Sequence, residues 1–178
     1  MQQDNDIVCL AETWLHEGIF DTEIFDSRYS VYRSDRCYNS RGDKMGGGVL
    51  IAVNSNLSVY SSSTISLTNN ASEIIKVSLI TKPGPPTKLL HIYCCYFPHC
   101  TYQSDVLCEF YEMVSQDCLC RTDDSFLLVS DFNISGASWS NKNGHMIINN
   151  YSCGNNLINC LYNFLEFCSF KQYNSIAN

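Results

Sequence analysis

Two patterns of apolar residues alternate along this chain: continuous short runs, and segments in which apolar positions recur every three or four residues. Ile7-Val8-Cys9-Leu10-Ala11 is continuously apolar, as a strand covered on both faces requires, and it stops at the polar pair Glu12-Thr13. Tyr29 to Arg33 alternates and predicts a short strand, and Gly46-Gly47-Gly48 opens another over Val49 to Val53. Strands are also predicted at Glu73 to Ile80 and Lys88 to Tyr96. They are separated by Lys82-Pro83-Gly84-Pro85-Pro86, a hairpin-type turn because proline and glycine do not continue a ladder. From Ser104 to about Cys118 the apolar residues Val106, Leu107, Phe110, Tyr111 and Val114 make one helix face. Phe126 to Val129 reads as a buried strand, and Leu157, Ile158, Leu161, Tyr162 and Leu165 predict a last helix over Asn156 to Cys168. The elements give an α/β fold with a mixed sheet, and no repeat or linker divides residues 1–178 into more than one domain.

Composition narrows the function classes. With 45% hydrophobic and 16% charged residues the chain is too apolar for a disordered protein. Eleven Lys and Arg against 18 Asp and Glu give a net charge of −7, which excludes a polycation that coats nucleic acid through bulk charge. The stretch from Arg28 to Lys44 is the exception: five cations face two aspartates, a local +3. That pattern fits a local contact with a DNA backbone through Arg33, Arg36 and Arg41, and it equally fits a solvated charged loop. No apolar run approaches the roughly 20 residues of a membrane-spanning helix. Nor do the first residues form a signal peptide. The expected location is therefore intracellular, nuclear or cytoplasmic, not secreted and with no membrane partner. Most of the eleven cysteines sit inside apolar runs, where they act as small buried hydrophobes rather than as a disulfide framework. Cys95, His99, Cys100 and Cys108 form a loosely spaced candidate metal set.

Chemistry is expected where two buried strands end in acids, at Leu10-Ala11-Glu12-Thr13 and at Val129-Ser130-Asp131-Phe132-Asn133, because ligands in layered α/β folds collect outside strand ends. A glutamate at a strand's C-terminal end, such as Glu12, suits a hard divalent ion like Mg2+, which takes a few carboxylate oxygens and keeps several waters. Asp131 and Asn133, two apart in an extended segment, project to one side; the first can activate an oxygen nucleophile and the second can hydrogen-bond a phosphate oxygen. Taken singly, each has a plainer reading as a strand end or a turn cap. Gly46-Gly47-Gly48 is not a phosphate loop, since no Gly-Lys-Ser/Thr follows it.

Five blocks in order, DIVCLAETWL at Asp6 to Leu15, VYRSDR at Val31 to Arg36, GGGVLIAV at Gly46 to Val53, CYFPH at Cys95 to His99 and SDFN at Ser130 to Asn133, span most of the chain. Together they resemble the endonuclease/exonuclease/phosphatase superfamily. More narrowly, they are similar to the endonuclease domain of non-LTR retrotransposons, itself related to apurinic/apyrimidinic endonucleases and DNase I. The resemblance implies a DNase I-like four-layer α/β sandwich of two mixed sheets flanked by helices. It also implies metal-dependent phosphodiester hydrolysis with Mg2+, or Mn2+, as cofactor, DNA as partner, and a reverse transcriptase domain in the same polyprotein. By it Glu12 is the metal-binding glutamate, Tyr96 contacts the scissile phosphate, Asp131 handles the nucleophilic water and Asn133 helps hold water and phosphate.

Two departures stand out. Ser130 replaces the glycine of the family's GDFN motif, and His99 stands where enzymes that cut abasic sites often carry Asn. The family's first strand with its active-site Asn, and its C-terminal Ser-Asp-His, have no counterpart within residues 1–178. His16, His91, His99 and His145 all lie in other contexts. On this reading the domain is incomplete and is expected to be inactive as it stands. The alternatives are a non-catalytic transposon remnant, or a phosphodiesterase or phosphatase of the same superfamily.

Overall fold

The computed structural model describes residues 5–36, 46–68, 72–98, 103–134, 139–142, 145–148 and 156–173. The chain groups into two compact units, Met1–Pro98 with Asp123–Phe132, and His99–Thr122 with Asn133–Asn178.

The first unit is built from two sheets. In one, β1 (Ile7–Ala11), β2 (Tyr29–Ser34) and β3 (Val49–Asn54) pair in the order β1-β3-β2, antiparallel throughout. In the other, β4 (Val59–Ile65), β5 (Glu73–Lys82), β6 (Lys88–Tyr96) and β7 (Ser125–Asp131) run in that order. Here the first two pairings are antiparallel and β6 with β7 is parallel. Mixed pairing thus belongs to the second sheet alone among the described strands, where two mixed sheets were expected. A parallel pair needs a long crossover, and the residues between β6 and β7 include an 18-residue helix, Gln103–Cys120.

Alternate residues of the two sheets meet in a shared core. Val49, Ile51 and Val53 face Ile75, Val77, Leu79, Ile92, Cys94 and Tyr96, and Ile7, Cys9, Ala11 and Tyr32 pack at the margin. Leu50, Ala52, Ile74, Tyr93 and Cys95 are fully buried too, which explains why β3 and β6 read as unbroken apolar runs. The turn between β5 and β6 falls at the expected prolines, with Lys82 opposite Lys88. A four-residue helix (Asp21–Ile24, α1) lies between β1 and β2.

The second unit holds helices α2 (Gln103–Cys120) and α3 (Asn156–Phe167) and the hairpin β8 (Trp139–Lys142) with β9 (His145–Ile148). The two helices meet: the Tyr111 ring stacks on Phe164 with centroids 4.5 Å apart, and Cys108 Sγ lies 3.5 Å from Cys160 Sγ. On α3 the buried positions are Ile158, Leu161 and Phe164, so the inward face takes in Phe164 where Leu157, Tyr162 and Leu165 were expected. Ser169 in a left-handed conformation (φ 55°) ends α3. No helix among the described residues is long and apolar enough to cross a membrane.

Candidate active site

The end of β1 turns sharply, and the turn is fastened to the three glycines that precede β3. Glu12 and Trp14 both have left-handed backbone, φ 56° and 57°, which is uncommon for side chains of their size. The Thr13 N–H donates to the Gly48 carbonyl at 3.2 Å and the Trp14 N–H to the Gly47 carbonyl at 2.9 Å. On the carboxylate itself, Glu12 Oε2 accepts from the Gly47 N–H at 3.2 Å and from Trp14 Nε1 at 2.8 Å. The glycines are required by close approach. A Cβ on Gly47 would stand 2.5 Å from the Arg36 guanidinium, and one on Gly48 would stand 2.5 Å from Thr13 Oγ1. The sequence marks these glycines as unusual without revealing which side chains they admit.

Tyr96 reaches Glu12 from the other sheet. It ends β6 at a register position shared with Glu73 on β5 and Asp131 on β7, so three adjacent strands deliver three polar side chains to one end of the sheet. The Tyr96 hydroxyl donates to the Glu12 carboxylate. That bond, with help from the Gly47 N–H, Trp14 Nε1 and the charge of Arg36, holds the Glu12 carboxyl below its usual range. Burial first, then the same bond to Glu12, pushes the Tyr96 hydroxyl up to about 12. Arg36 spans the group. Its Nε and Nη2 donate to the two oxygens of Glu73 at 2.6 and 3.1 Å, and its Cζ lies 5.5 Å from the centre of the Tyr96 ring. Glu73 is buried, so this fork satisfies a carboxylate that would otherwise be costly at that depth.

Glu12, Tyr96 and Asp131 therefore lie at one end of the first unit, with Asp131 exposed. Asn133 follows Asp131 by two residues and has left-handed backbone (φ 49°), so the segment is no longer extended there as its motif spacing suggests. Ser130, the residue in place of the motif glycine, has its Oγ buried without a hydrogen-bond partner. Two of the arginines expected to contact DNA have carboxylate partners. Arg33 is ion-paired with Asp21 at 3.1 Å and Asp35 at 3.2 Å, and Arg36 is held by Glu73, so neither guanidinium presents a free fork to a phosphate. Arg41 lies outside the described residues, as do His99 and Cys100 of the candidate cysteine and histidine metal set. Sequence reasoning missed Glu73 and Trp14 as partners of the site; only the three-dimensional pairing reveals them.

Among the described residues no three His, Cys, Asp or Glu side chains cluster to hold a metal by themselves. Glu12, exposed and kept ionised, is what remains. One carboxylate with the other positions left to water and substrate oxygens is a donor set that Mg2+ accepts.

No protein-family model matches the sequence, and no curated protein matches it. Solved structures do. The human Nocturnin catalytic domain with bound sulfate is 15% identical over 73% of this chain and 52% of its own length, with a TM-score of 0.55. The Xenopus laevis APE2 catalytic domain is 16% identical over 74% of this chain and 51% of its own, TM-score 0.51. ANGEL2, a 2′,3′-cyclic phosphatase in complex with adenosine-2′,3′-vanadate, is 17% identical over 74% and 41%, TM-score 0.51. The chain thus spans about half the length of the structures it matches, or less. At such identities the likeness speaks for architecture: over roughly three quarters of its length this chain has the mixed α/β, DNase I-like fold of the endonuclease/exonuclease/phosphatase proteins.

Proposed function

We propose that this chain forms part of a metal-dependent phosphodiesterase of the endonuclease/exonuclease/phosphatase type, acting on nucleic acid. The observation that carries the reading is the meeting of an ionised Glu12 with Tyr96, with Asp131 on the neighbouring strand, at one sheet end of that fold. In this proposal Glu12 holds a Mg2+ or Mn2+ ion, which would stabilise charge on the phosphate oxygens. Asp131 accepts the proton of the attacking water as the water oxygen bonds to phosphorus and the ester oxygen departs. Tyr96, whose one O–H proton is held by Glu12, turns it to the phosphate when substrate binds, and the family resemblance assigns Asn133 a part in holding water and phosphate. The structural neighbours support phosphoester chemistry in the broad sense, since one of them is a 2′,3′-cyclic phosphatase. The narrower reading, a DNA-nicking endonuclease domain of a non-LTR retrotransposon polyprotein with a reverse transcriptase partner, rests on the five sequence blocks. In it Arg41 contacts the DNA backbone, and Arg33 and Arg36 do so only by sharing their carboxylate partners.

The test is cleavage of supercoiled plasmid and of single-stranded oligonucleotide by the purified chain, and by any longer product its flanking coding sequence specifies, with and without Mg2+ or Mn2+. Expected is metal-dependent cleavage by the longer product, reduced about 10²-fold or more when that product carries Glu12→Ala or Asp131→Ala, and none by the 178-residue chain alone. Cleavage indifferent to Glu12→Ala overturns the residue assignment, and no metal-dependent cleavage by either product favours a non-catalytic remnant.

A further inference from the structure

Trp14 is a large apolar side chain left 54% exposed beside the carboxylate proposed to hold the metal. Isolated exposed hydrophobics are ordinary. Trp14 differs in being fixed. Its indole N–H is spent on Glu12 Oε2 at 2.8 Å, its backbone N–H on the Gly47 carbonyl, and its backbone stands at φ 57°. The ring also lies against the bare α-carbon of Gly46, where an added Cβ would come within 3.8 Å of Cε2 and 3.9 Å of Cζ2. With its one polar atom engaged, what the indole offers outward is π surface. An ordered, strained turn that holds such a surface next to a phosphate-handling carboxylate is suited to a flat apolar group attached to that phosphate.

We infer that Trp14 is a stacking platform for a nucleobase adjoining the scissile phosphate, a reading that rests on the phosphodiesterase proposal. It names the substrate class as polynucleotide with an unpaired or unstacked base, because a base inside a duplex already has both faces covered. Charge supports the choice. On a chain of net charge −7 whose Arg33 and Arg36 are committed to carboxylates, phosphate attraction is weakened, and base stacking, which tolerates any sequence, gains weight as a source of affinity. A phosphoinositide or other base-free phosphate ester has nothing to place on this ring.

The experiment measures binding without cleavage, in EDTA, by the full chain. The probes are an end-labelled oligothymidylate of about 12 nucleotides, within the range single-strand sites cover, its duplex, and an abasic strand of equal length and charge. Expected is a preference for the oligothymidylate over the abasic strand and the duplex of about 5- to 150-fold. Trp14→Ala abolishes that preference and Trp14→Phe keeps most of it. With Trp139, the only other tryptophan, changed to Phe, the remaining fluorescence is quenched by the oligothymidylate and not by the abasic strand. Equal affinity for the two strands overturns the inference. So does Trp14→Phe failing as badly as Trp14→Ala, which assigns Trp14 solely to holding Glu12. Base-dependent binding with no metal-dependent cleavage sinks the phosphodiesterase reading and spares the platform; cleavage that is indifferent to Trp14→Ala and to base identity does the reverse.

Discussion

Gly47 shows how one missing side chain can hold a site together. Its N–H and C=O bind Glu12 and Trp14, while the space where a Cβ would sit is filled by the Arg36 guanidinium. Gly47→Ala therefore meets two penalties: a left-handed backbone (φ 77°), about 1–2 kcal/mol for an L residue, and overlap with Arg36, about 1–3 kcal/mol. Urea unfolding should show a total loss of about 2–5 kcal/mol, and in an Arg36→Ala background the loss should shrink to the backbone part alone. An unchanged loss in that background would mean that the guanidinium does not occupy the space. Tyr96 makes a pH-dependent prediction. Its hydroxyl is raised from an ordinary value near 10 to about 12, so the folded state holds that proton more tightly than the unfolded state. The Tyr96–Glu12 bond then contributes fully below about pH 10 and is lost as pH rises towards 12. The lowered Glu12 carboxyl gives the opposite flank, with stability present above its ordinary range and lost as pH falls through its folded value. The stability difference between wild type and Tyr96→Phe, about 1 kcal/mol at neutral pH, should narrow above pH 10; a difference constant to pH 12 would refute the bond. Glu12 and Asp131 stand out as candidates in the sequence because each closes an apolar strand run, while Tyr96 is a candidate only through the family resemblance. The role of the glycines is not legible there, because the groups they admit come from distant parts of the sequence.

Among the elements, β3, β5, β6 and both long helices follow from the apolar pattern because their side chains face protein, whereas β1 and β7, also expected to be buried, are only partly so, with Leu10 42% and Leu127 43% exposed. The pattern fails where backbone pairing alone makes the strand. β4 (VYSSSTI) is exposed over Tyr60 to Thr64 and partly buried only at Val59 and Ile65; it exists because its backbone pairs with β5. β8 and β9 pair in an Asn- and Ser-rich stretch in which the sequence predicts no strand. The strands of the second sheet share one feature invisible to pattern reading. His91 on β6 is 2% exposed; its Nδ1 lies 2.8 Å from Ser78 Oγ on β5 and its Nε2 3.1 Å from Asp124, whose other oxygen accepts the Leu89 N–H at 2.9 Å. Serine, histidine and aspartate in line suggest a hydrolase triad, but Ser78 is itself 2% exposed and no substrate reaches it. The network is structural: it ties β5, β6 and the approach to β7 together around otherwise costly buried polar groups. Asp124→Ala strands both the imidazole and an amide and should cost about 2–4 kcal/mol in chemical denaturation. Asp124→Asn should cost less, because its amide oxygen still accepts from Leu89. Equal losses would show that the Leu89 bond carries no weight.

At the scale of the molecule, charge decides what kind of nucleic-acid binder this chain can be. At least five of its eleven cations are already paired: Arg28 with Asp26, Arg33 with Asp21 and Asp35, Arg36 with Glu73, Lys88 with Asp123 and Arg121 with Asp117. Lys76 sits over the Tyr93 ring at 5.1 Å. Each phosphate that a protein neutralises on a single strand steepens the fall of log K with log salt by about 0.7. A chain of net charge −7 with at least five cations already paired should therefore neutralise about one to three phosphates, which predicts a shallow slope of about −1 to −2 for single-stranded oligonucleotide. Polycationic binders reach about −5 or steeper through the same effect. Fluorescence anisotropy across a salt series, in EDTA to exclude competition by divalent ions, gives the slope directly. A shallow slope agrees with binding dominated by stacking and by contacts that need a metal. A slope of about −4 or beyond would mean that a cation cluster carries the affinity, with Arg41 and Lys44 first in line, and Arg41→Ala should then flatten it by about one phosphate's worth, 0.7.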